Sequence, residues 1–530
     1  MLIFYRKKGK EFMAKIRVER KTDVKVSIVR ILIVLASVCI QIWWITYLLL
    51  ILYKESPWIR IAYALIPLMI SLAVYGRHIN ASYKLPWLVI VLAFSPMGAV
   101  MYVIFGRKGA IDRQKREYRE LDDLVKKLSV GNAEIIDKIK KDDSYVAASC
   151  SYIKSASGMP VWEHSSAEYY NDPTLGALAQ VEELRKAENF IFMEYHAIQD
   201  GPGFDPFFNV LCKKARAGVE VRLIFDDVGS IMFINRDFIN AMKEAGVQIL
   251  DFNPISPLFH VFMNYRDHRK ITVIDGRVAF TGGYNLADEY FHFTRPYGYW
   301  KDSGVKITGE AVLSFSIIFL EMWNYIKETD NQYTLEKYLG STVSLPENDG
   351  FIQPYADSPM TEEPLAEGVY LNIVRMAKNY CYFVTPYLII TDEFMRELTD
   401  AAKRGVDVRI ITPGIPDKKL VYAETRSYYA PLVRSGVRIY EYTPGFAHAK
   451  MCISDDEKAT VGSVNLDFRS LYLHFENGVF FYRTKMISEI YDDFMEMFDE
   501  SEEVTEKYIA HRSIPVRIKH SLLRLVAPML

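Results

Sequence analysis

Residues 268–278 read HRKITVIDGRV and residues 448–458 read HAKMCISDDEK. Each stretch sets out a histidine, a lysine two residues on and an aspartate five further: His268, Lys270 and Asp275, then His448, Lys450 and Asp455. Each runs on through a glycine-bearing turn to an asparagine, TGGYN with Asn285 and VGSVN with Asn465. One such pattern would carry little weight. Two of them, 180 residues apart with matching neighbours, imply a chain built from two copies of one unit.

The residue types point to a chemistry. ITVI and MCIS are mostly β-branched or apolar and are followed by Asp-Gly or Asp-Asp, which reads as a short buried strand closed by a turn. Side chains alternate along a strand, so histidine and lysine share a face. The aspartate has the opposite parity and is expected to brace the strand or its turn. The glycines let backbone approach the site, and asparagine offers an amide donor to an anion. An imidazole, a fixed cation and an amide suit a phosphoryl group, and two such sets suit phosphodiester transfer through a histidine-bound intermediate. With one histidine per half, a single site between two pseudo-symmetric halves is expected. Two lysines and two asparagines already neutralise a phosphoryl group, so no metal or other cofactor is expected.

The surrounding sequence repeats as well. AENFIFMEYH at 187 matches AKNYCYFVTP at 377, ARAGVEVRLI at 215 matches AKRGVDVRII at 402, and EAGVQIL at 244 matches RSGVRIY at 434. The offsets of 190, 187 and 190 fall to 180 at the histidines, which puts about ten extra residues in the first copy, near 254–267. Strand-like and helix-like stretches alternate, so an α/β layered fold is expected. Asp226 and Asp227 face opposite ways on a strand and read as a strand-end polar cluster. His196 and His260 lack repeat-mates of matching chemistry and read as structural. The five cysteines are scattered without a CxxC pair, and Cys452, on the His448 face, is expected to pack.

The ends of the chain differ from this body. Residues 31–53, 61–76 and 85–105 are apolar, and the last two are broken by Pro67 and by Pro96 and Gly98. Residues 1–30 carry a net charge of +7, which leaves −9 for the remainder and weighs against a nucleic-acid partner. A second basic cluster follows residue 106. Positive charge flanking both ends of the apolar region favours an even number of membrane crossings, with the body on the cytoplasmic side, and three crossings with the body outside is the competing topology. The C-terminal SIPVRIKHSLLRLVAPML mixes apolar and basic residues, as a helix on a membrane surface or one packed on the core would.

The paired motifs resemble the phospholipase D superfamily, and HAKMCISDDEKATVGSVNLDFRSLYLHFE resembles the second catalytic region of bacterial cardiolipin synthases. YWKDSGVKITG, GVYLN and FVTPYLI resemble further parts of the same family, from about residue 85 to the C-terminus. The resemblance implies two pseudo-symmetric phospholipase D-type repeats of layered sheet and helices, preceded by N-terminal transmembrane helices. The corresponding division is a membrane anchor at 1–106, a helical linker at 107–165, a first repeat at 166–345 and a second at 346–530.

The same resemblance implies a catalytic set of His268, Lys270, Asp275, His448, Lys450 and Asp455, with Asn285 and Asn465 on the substrate phosphate. Asp302 and Glu476 would orient the histidines, with Tyr472, His474 and Glu476 alternating along one strand. His474 stands where relatives usually carry a small polar residue, and reads either as catalytic or as a supporting histidine. The insertion near 254–267 reads either as a mouth loop touching acyl chains or as a buried loop. The implied enzyme is a multi-pass protein of the bacterial cell membrane that joins two phosphatidylglycerols, with His268 as nucleophile and anionic lipid as partner. Hydrolysis, transfer to another alcohol, and a membrane-bound nuclease are the competing readings.

Overall fold

The computed structural model describes residues 56–529 apart from 78–79, 96, 107–111, 130, 132, 256–263, 331–336, 339–345, 347 and 511–512, with scattered positions between 36 and 51. The first half supplies strands β1 (Ser165–Tyr170), β2 (Phe190–Tyr195), β3 (Glu220–Asp226), β4 (Gln248–Phe252), β5 (Arg266–Asp267), β6 (Lys270–Ile274), β7 (Val278–Gly282), β8 (Tyr299–Lys301) and β9 (Gly304–Gly309). The second supplies β10 (Phe351–Asp357), β11 (Tyr380–Val384), β12 (Asp407–Pro413), β13 (Arg438–Tyr442), β14 (Gly445–Ala447), β15 (Met451–Ser454), β16 (Lys458–Gly462), β17 (His474–Tyr482) and β18 (Ser501–Glu503).

One sheet runs β1-β9-β7-β6-β2-β3-β4 and the other β10-β17-β16-β15-β11-β12-β13-β18. Strand for strand the second order repeats the first, with β18 added at its edge. In each sheet the β2–β3–β4 or β11–β12–β13 set is parallel and joined by helices, while the motif strand enters antiparallel beside β2 or β11. The motif strands β6 and β15 are buried along their whole length, which is why their sequences are apolar runs rather than alternating ones.

The two sheets share one core. Phe192, Ile271, Val273 and Ile307 of the first half lie in the same cluster as Val384, Ile411, Met451 and Val479 of the second. Helices Val312–Ile326 and Met486–Asp499 contribute Phe315, Phe319, Trp323, Phe494 and Met497 to it. Burying each such large side chain stabilises by roughly 1.5–3 kcal/mol, so the halves are held together by the same effect that folds each of them. Separate clusters lie under the outer helices of the first and second halves. The stretch from 112 to 157 forms three helices, Asp112–Leu128, Ala133–Asp142 and Ser144–Ser157, and Tyr118, Ile139, Val146, Cys150 and Ile153 are buried against the body.

Arg269, between the motif histidine and lysine, is buried at this junction. Its guanidinium lies 3.7 Å from Glu194 and 3.9 Å from Glu321, and over the Phe475 ring at 5.5 Å. Its Nε donates to the Glu476 carbonyl at 3.3 Å. Burial pushes the Glu321 carboxyl up to about 7 and holds Glu194 well above the carboxylate range, while Arg269 keeps its charge.

The N-terminal region is described only in part. Among the described residues no helix is long and apolar enough to cross a membrane. Pro57–Tyr75, with Pro67 inside it, turns at Gly76 and packs against Ala81–Ala93. The apolar run at 85–105 is not one rod: it breaks after Ala93 and resumes as Met97–Met101 and a π-helical turn, Tyr102–Gly106. A helix of 13 residues rises about 20 Å, short of the roughly 30 Å of a bilayer core. The run at 31–53 lies largely outside the described residues, as do His260 and most of the 254–267 insertion. Ala81–Ala93 is fastened to the body: Asn80 caps it through Ser82 at 2.9 Å and also bonds Glu393 and Tyr472, and Tyr83 donates to the Phe468 carbonyl at 3.1 Å.

Helix Ile514–Val526 packs beside Ala81–Ala93 and on helix Lys419–Val433, with Arg524 over Tyr428. It has no fully buried residue, and Ile514, Ile518, Leu522 and Val526, four apart, face outward.

Replacing Arg269 with methionine leaves Glu194 and Glu321 buried without their cation. The expected outcome is a loss of about 3–5 kcal/mol in stability, read by denaturant unfolding, with the site geometry disturbed only as a consequence.

Candidate active site

Two short ladders join the halves at the motifs. β5 pairs in parallel with β17, Arg266 opposite His474 and Asp267 opposite Phe475. β14 pairs in parallel with β8, Phe446 opposite Trp300 and Ala447 opposite Lys301. One residue further along, His268 N–H donates to the Phe475 carbonyl at 2.9 Å and His448 N–H to the Lys301 carbonyl at 2.7 Å. The next residue on the opposing strand is in each case a carboxylate. His268 Nδ1 lies 2.9 Å from Glu476 Oε1, and His448 Nδ1 lies 2.6 Å from Asp302 Oδ2. Each imidazole is therefore held by an acid from the other half.

A hydrogen bond from Nδ1 to a carboxylate fixes the tautomer and leaves the lone pair on Nε2 of each ring. Lys270 Nζ donates to the His268 carbonyl at 2.6 Å, and Lys450 Nζ to the His448 carbonyl while sitting 2.7 Å from His448 Nδ1. All four residues are buried. Burial, reinforced by the ammonium groups, pushes His448 down to about 3 and holds His268 well below its ordinary value. Burial likewise lowers Lys270 to about 8 and Lys450 to about 7, each partly offset by the acids around it. Burial acts to raise Asp302, but Lys450 and His448 outweigh it and hold that carboxyl below its usual range. The site is crowded with buried cationic groups, and an anion is the ligand that relieves it.

The aspartates grouped with the catalytic residues by their motif stand elsewhere. Asp275 accepts backbone N–H bonds from Glu188, Asn189 and Phe190 at 2.7–2.8 Å. Asp455 does the same for Lys378, Asn379 and Tyr380 at 2.8–3.1 Å. Both adopt positive φ, and each ties the turn after the motif strand to the start of β2 or β11. Each carboxylate is thereby engaged with backbone N–H groups.

Asn285 is buried, accepting from the Ala197 N–H at 3.2 Å and donating to the Tyr290 hydroxyl at 2.7 Å. Asn465 is buried with no partner for its Oδ1. Asp226 and Asp227 diverge, the first to the Asp267 N–H and the second to the Ile255 N–H. Tyr472 does not alternate with His474 and Glu476 on a strand, because it ends a short helix and donates to Glu367. Cys452 Sγ lies 3.6 Å from Cys381 Sγ in the core. His196 lies beside His268, ring centroids 4.9 Å apart, with Nδ1 2.7 Å from the Asp267 carbonyl.

Sequence reasoning missed Ser463 and Asn477. Ser463 Oγ donates to Glu476, and Asn477 accepts the Lys270 N–H at 3.1 Å while donating to Thr281 at 2.7 Å. The signal available was their place in the repeat, since Ser463 matches Gly283 and Asn477 matches Ser303.

Comparison with known proteins decides the family. Residues 181–323 and 370–498 match the family described as cardiolipin synthase, PLD-like domain. The chain belongs to that family. It is 38% identical to an uncharacterised protein of Streptococcus mutans over 84% of this chain and 96% of the other. It is 31% identical to a cardiolipin synthase of Geobacillus kaustophilus over 87% of this chain and 92% of that one. Among solved structures, a phosphatidylserine synthase of Haemophilus influenzae shares the fold at TM-score 0.54 and 15% identity, over 72% of this chain and 99% of its own.

Gly283 separates the two half-sites. A Cβ there would lie 2.1 Å from Asp302 Oδ1 and 3.1 Å from Lys450 Cδ. Gly283→Ser is therefore expected to push Asp302 off His448 and lower turnover about 10²-fold, although serine is native at the matching position 463; steady-state rates with an unchanged melting curve would register it.

Proposed function

We propose that this chain is a membrane-associated cardiolipin synthase, a phosphatidyltransferase that moves a phosphatidyl group from one phosphatidylglycerol to another and releases glycerol. The observation that carries this reading is the crossed pair of imidazoles, each fixed by a carboxylate of the opposite half with a lysine alongside. His268 Nε2 attacks phosphorus; a P–N bond forms, the bond to the glycerol oxygen breaks, and that oxygen takes a proton from His448. His448, now neutral, then takes the proton of the second phosphatidylglycerol's terminal hydroxyl, whose oxygen attacks phosphorus and frees His268. The assignment of nucleophile to His268 follows the family. Lys270, Lys450, Asn285 and Asn465 bear on the phosphoryl oxygens. Both imidazoles are neutral in the empty site, so the incoming phosphodiester supplies the negative charge that favours a proton on His448.

The membrane part of the reading rests on exposed apolar side chains. Trp58, Leu65, Met69 and Leu72 on Pro57–Tyr75 and Leu85, Val89 and Leu92 on Ala81–Ala93 face outward, beside the Ile514–Val526 stripe. These helices would lie in the interfacial layer of a bacterial membrane, with Arg517 and Lys519 toward anionic headgroups. The body then sits on the cytoplasmic side, as the positive charge at both ends of the apolar region favours.

Incubating the purified full chain with phosphatidylglycerol alone and separating the lipids tests the reaction. Cardiolipin with free glycerol supports it, and phosphatidic acid with glycerol identifies a hydrolase instead. The two histidines separate by a second measurement. His448→Ala, given a phosphatidyl ester of a low-pKa alcohol, is expected to accumulate an acid-labile, base-stable phosphatidyl adduct on His268, and His268→Ala none. Mass spectrometry locating the lipid on His448 reverses the roles.

A further inference from the structure

The two cross-half ladders are alike in register but not in what flanks each histidine. Opposite the residue two before His448 stands Trp300, whose ring lies 5.1 Å from the imidazole. The matching position beside His268 is His474, with ring centroids 5.5 Å apart. Neither ring nitrogen of His474 has a hydrogen-bond partner, and both are shielded from solvent. Its Nδ1 lies 3.8 Å from Glu476 Oε1, the same oxygen that holds His268 Nδ1. Leaving a buried imidazole without partners costs about 1–3 kcal/mol. The matching Trp300 leaves one buried N–H without a partner, against two ring nitrogens at His474.

Donor atoms of His268, His474 and Glu476 all lie within 4.8 Å of one another. We propose that these three residues form a binding site for a zinc ion, and that zinc is a reversible inhibitor of the enzyme. Two imidazoles and a carboxylate are a donor set suited to zinc, with the fourth position left for water. In a tetrahedral site the bonds are about 2.0–2.2 Å and the donors roughly 3.3 Å apart, so the longest separation must close by at most about 1.5 Å. His474 can turn inward without breaking a hydrogen bond. Lys270 and Lys450 oppose a dication here, and Glu476 and Asp302 offset them.

Inhibition follows from the ring chemistry and rests on the reading of His268 as nucleophile. Metal on Nδ1 displaces the hydrogen bond to Glu476. The ring keeps its one proton, now on Nε2, and the lone pair needed to attack phosphorus is gone. The reacting ring also becomes fixed to the ion and to Glu476, so substrate and zinc exclude each other.

The test uses the full chain in detergent micelles, stripped with a chelator. Equilibrium dialysis against zinc is expected to give one ion per chain, and cobalt(II) in its place a visible absorption band of tetrahedral type. His474→Ser and His474→Phe are each expected to weaken zinc binding by about tenfold or more. Turnover of phosphatidylglycerol, normalised to each protein's own chelator-treated rate, should fall with zinc in the native chain and recover with chelator. The concentration giving half inhibition should rise by the same factor in both variants. A native chain that binds no zinc at 100-fold molar excess, or variants that bind it equally well, overturns the site. Zinc bound with the expected stoichiometry but without inhibition overturns the inhibitory role. Binding is measured without substrate, so its outcome stands whichever lipid product the enzyme proves to make.

Discussion

The active site depends on two backbone hydrogen bonds, His268 N–H to the Phe475 carbonyl and His448 N–H to the Lys301 carbonyl. They extend two ladders of only two or three residues, and those ladders set each imidazole opposite the other half's acid. Everything else at the site is arranged around that exchange. Ser463 and Asn477 hold the Glu476 strand to the first motif, the absence of a side chain at Gly283 lets Asp302 reach His448, and Arg269 ties the junction to Glu194 and Glu321. The shared core brings the two sheets together, and the ladders fix how they meet.

The electrostatics carry a corresponding strain. Two lysines and two histidines are buried within a few residues of one another, and burial lowers all four below their ordinary values. Glu476 and Asp302 compensate only in part. Such an arrangement works against folding in the empty protein and favours a bound anion, which is the usual relation between stability and a preorganised polar site. The braces at Asp275 and Asp455, each with three backbone N–H bonds, stiffen the turns that follow the motif strands against that repulsion.

Much of this could be read from the chain. The duplicated motif, the near-constant offsets and the alternation of strand and helix imply two layered α/β units, and both sheets have the same strand order. Parity along ITVI and MCIS separates the aspartates from the histidines, because alternation is local and needs no knowledge of the fold. What could not be read is long-range. β5 and β14 are too short to leave a periodic signal, so nothing in the sequence says that Asp302 serves His448 and Glu476 serves His268. Tyr472 illustrates the same gap: alternation with His474 ignores the helix that ends between them. Nor does hydropathy alone reveal the break after Ala93, which divides the apolar run at 85–105 into a 13-residue helix and two short turns.

The crossed ladders also bear on how such a chain can arise. Two identical units meeting about a two-fold axis would form both ladders at once, each giving its acid to the other's histidine. In that ancestor the two histidines are forced to be chemically alike. Once the units are joined in one polypeptide, that equivalence is lifted and each copy can drift. The drift is visible at the ladders themselves, as Asp302 against Glu476, Gly283 against Ser463 and Trp300 against His474. One imidazole thus has an environment that its twin does not share, which a reaction assigning attack to one ring and proton transfer to the other can exploit.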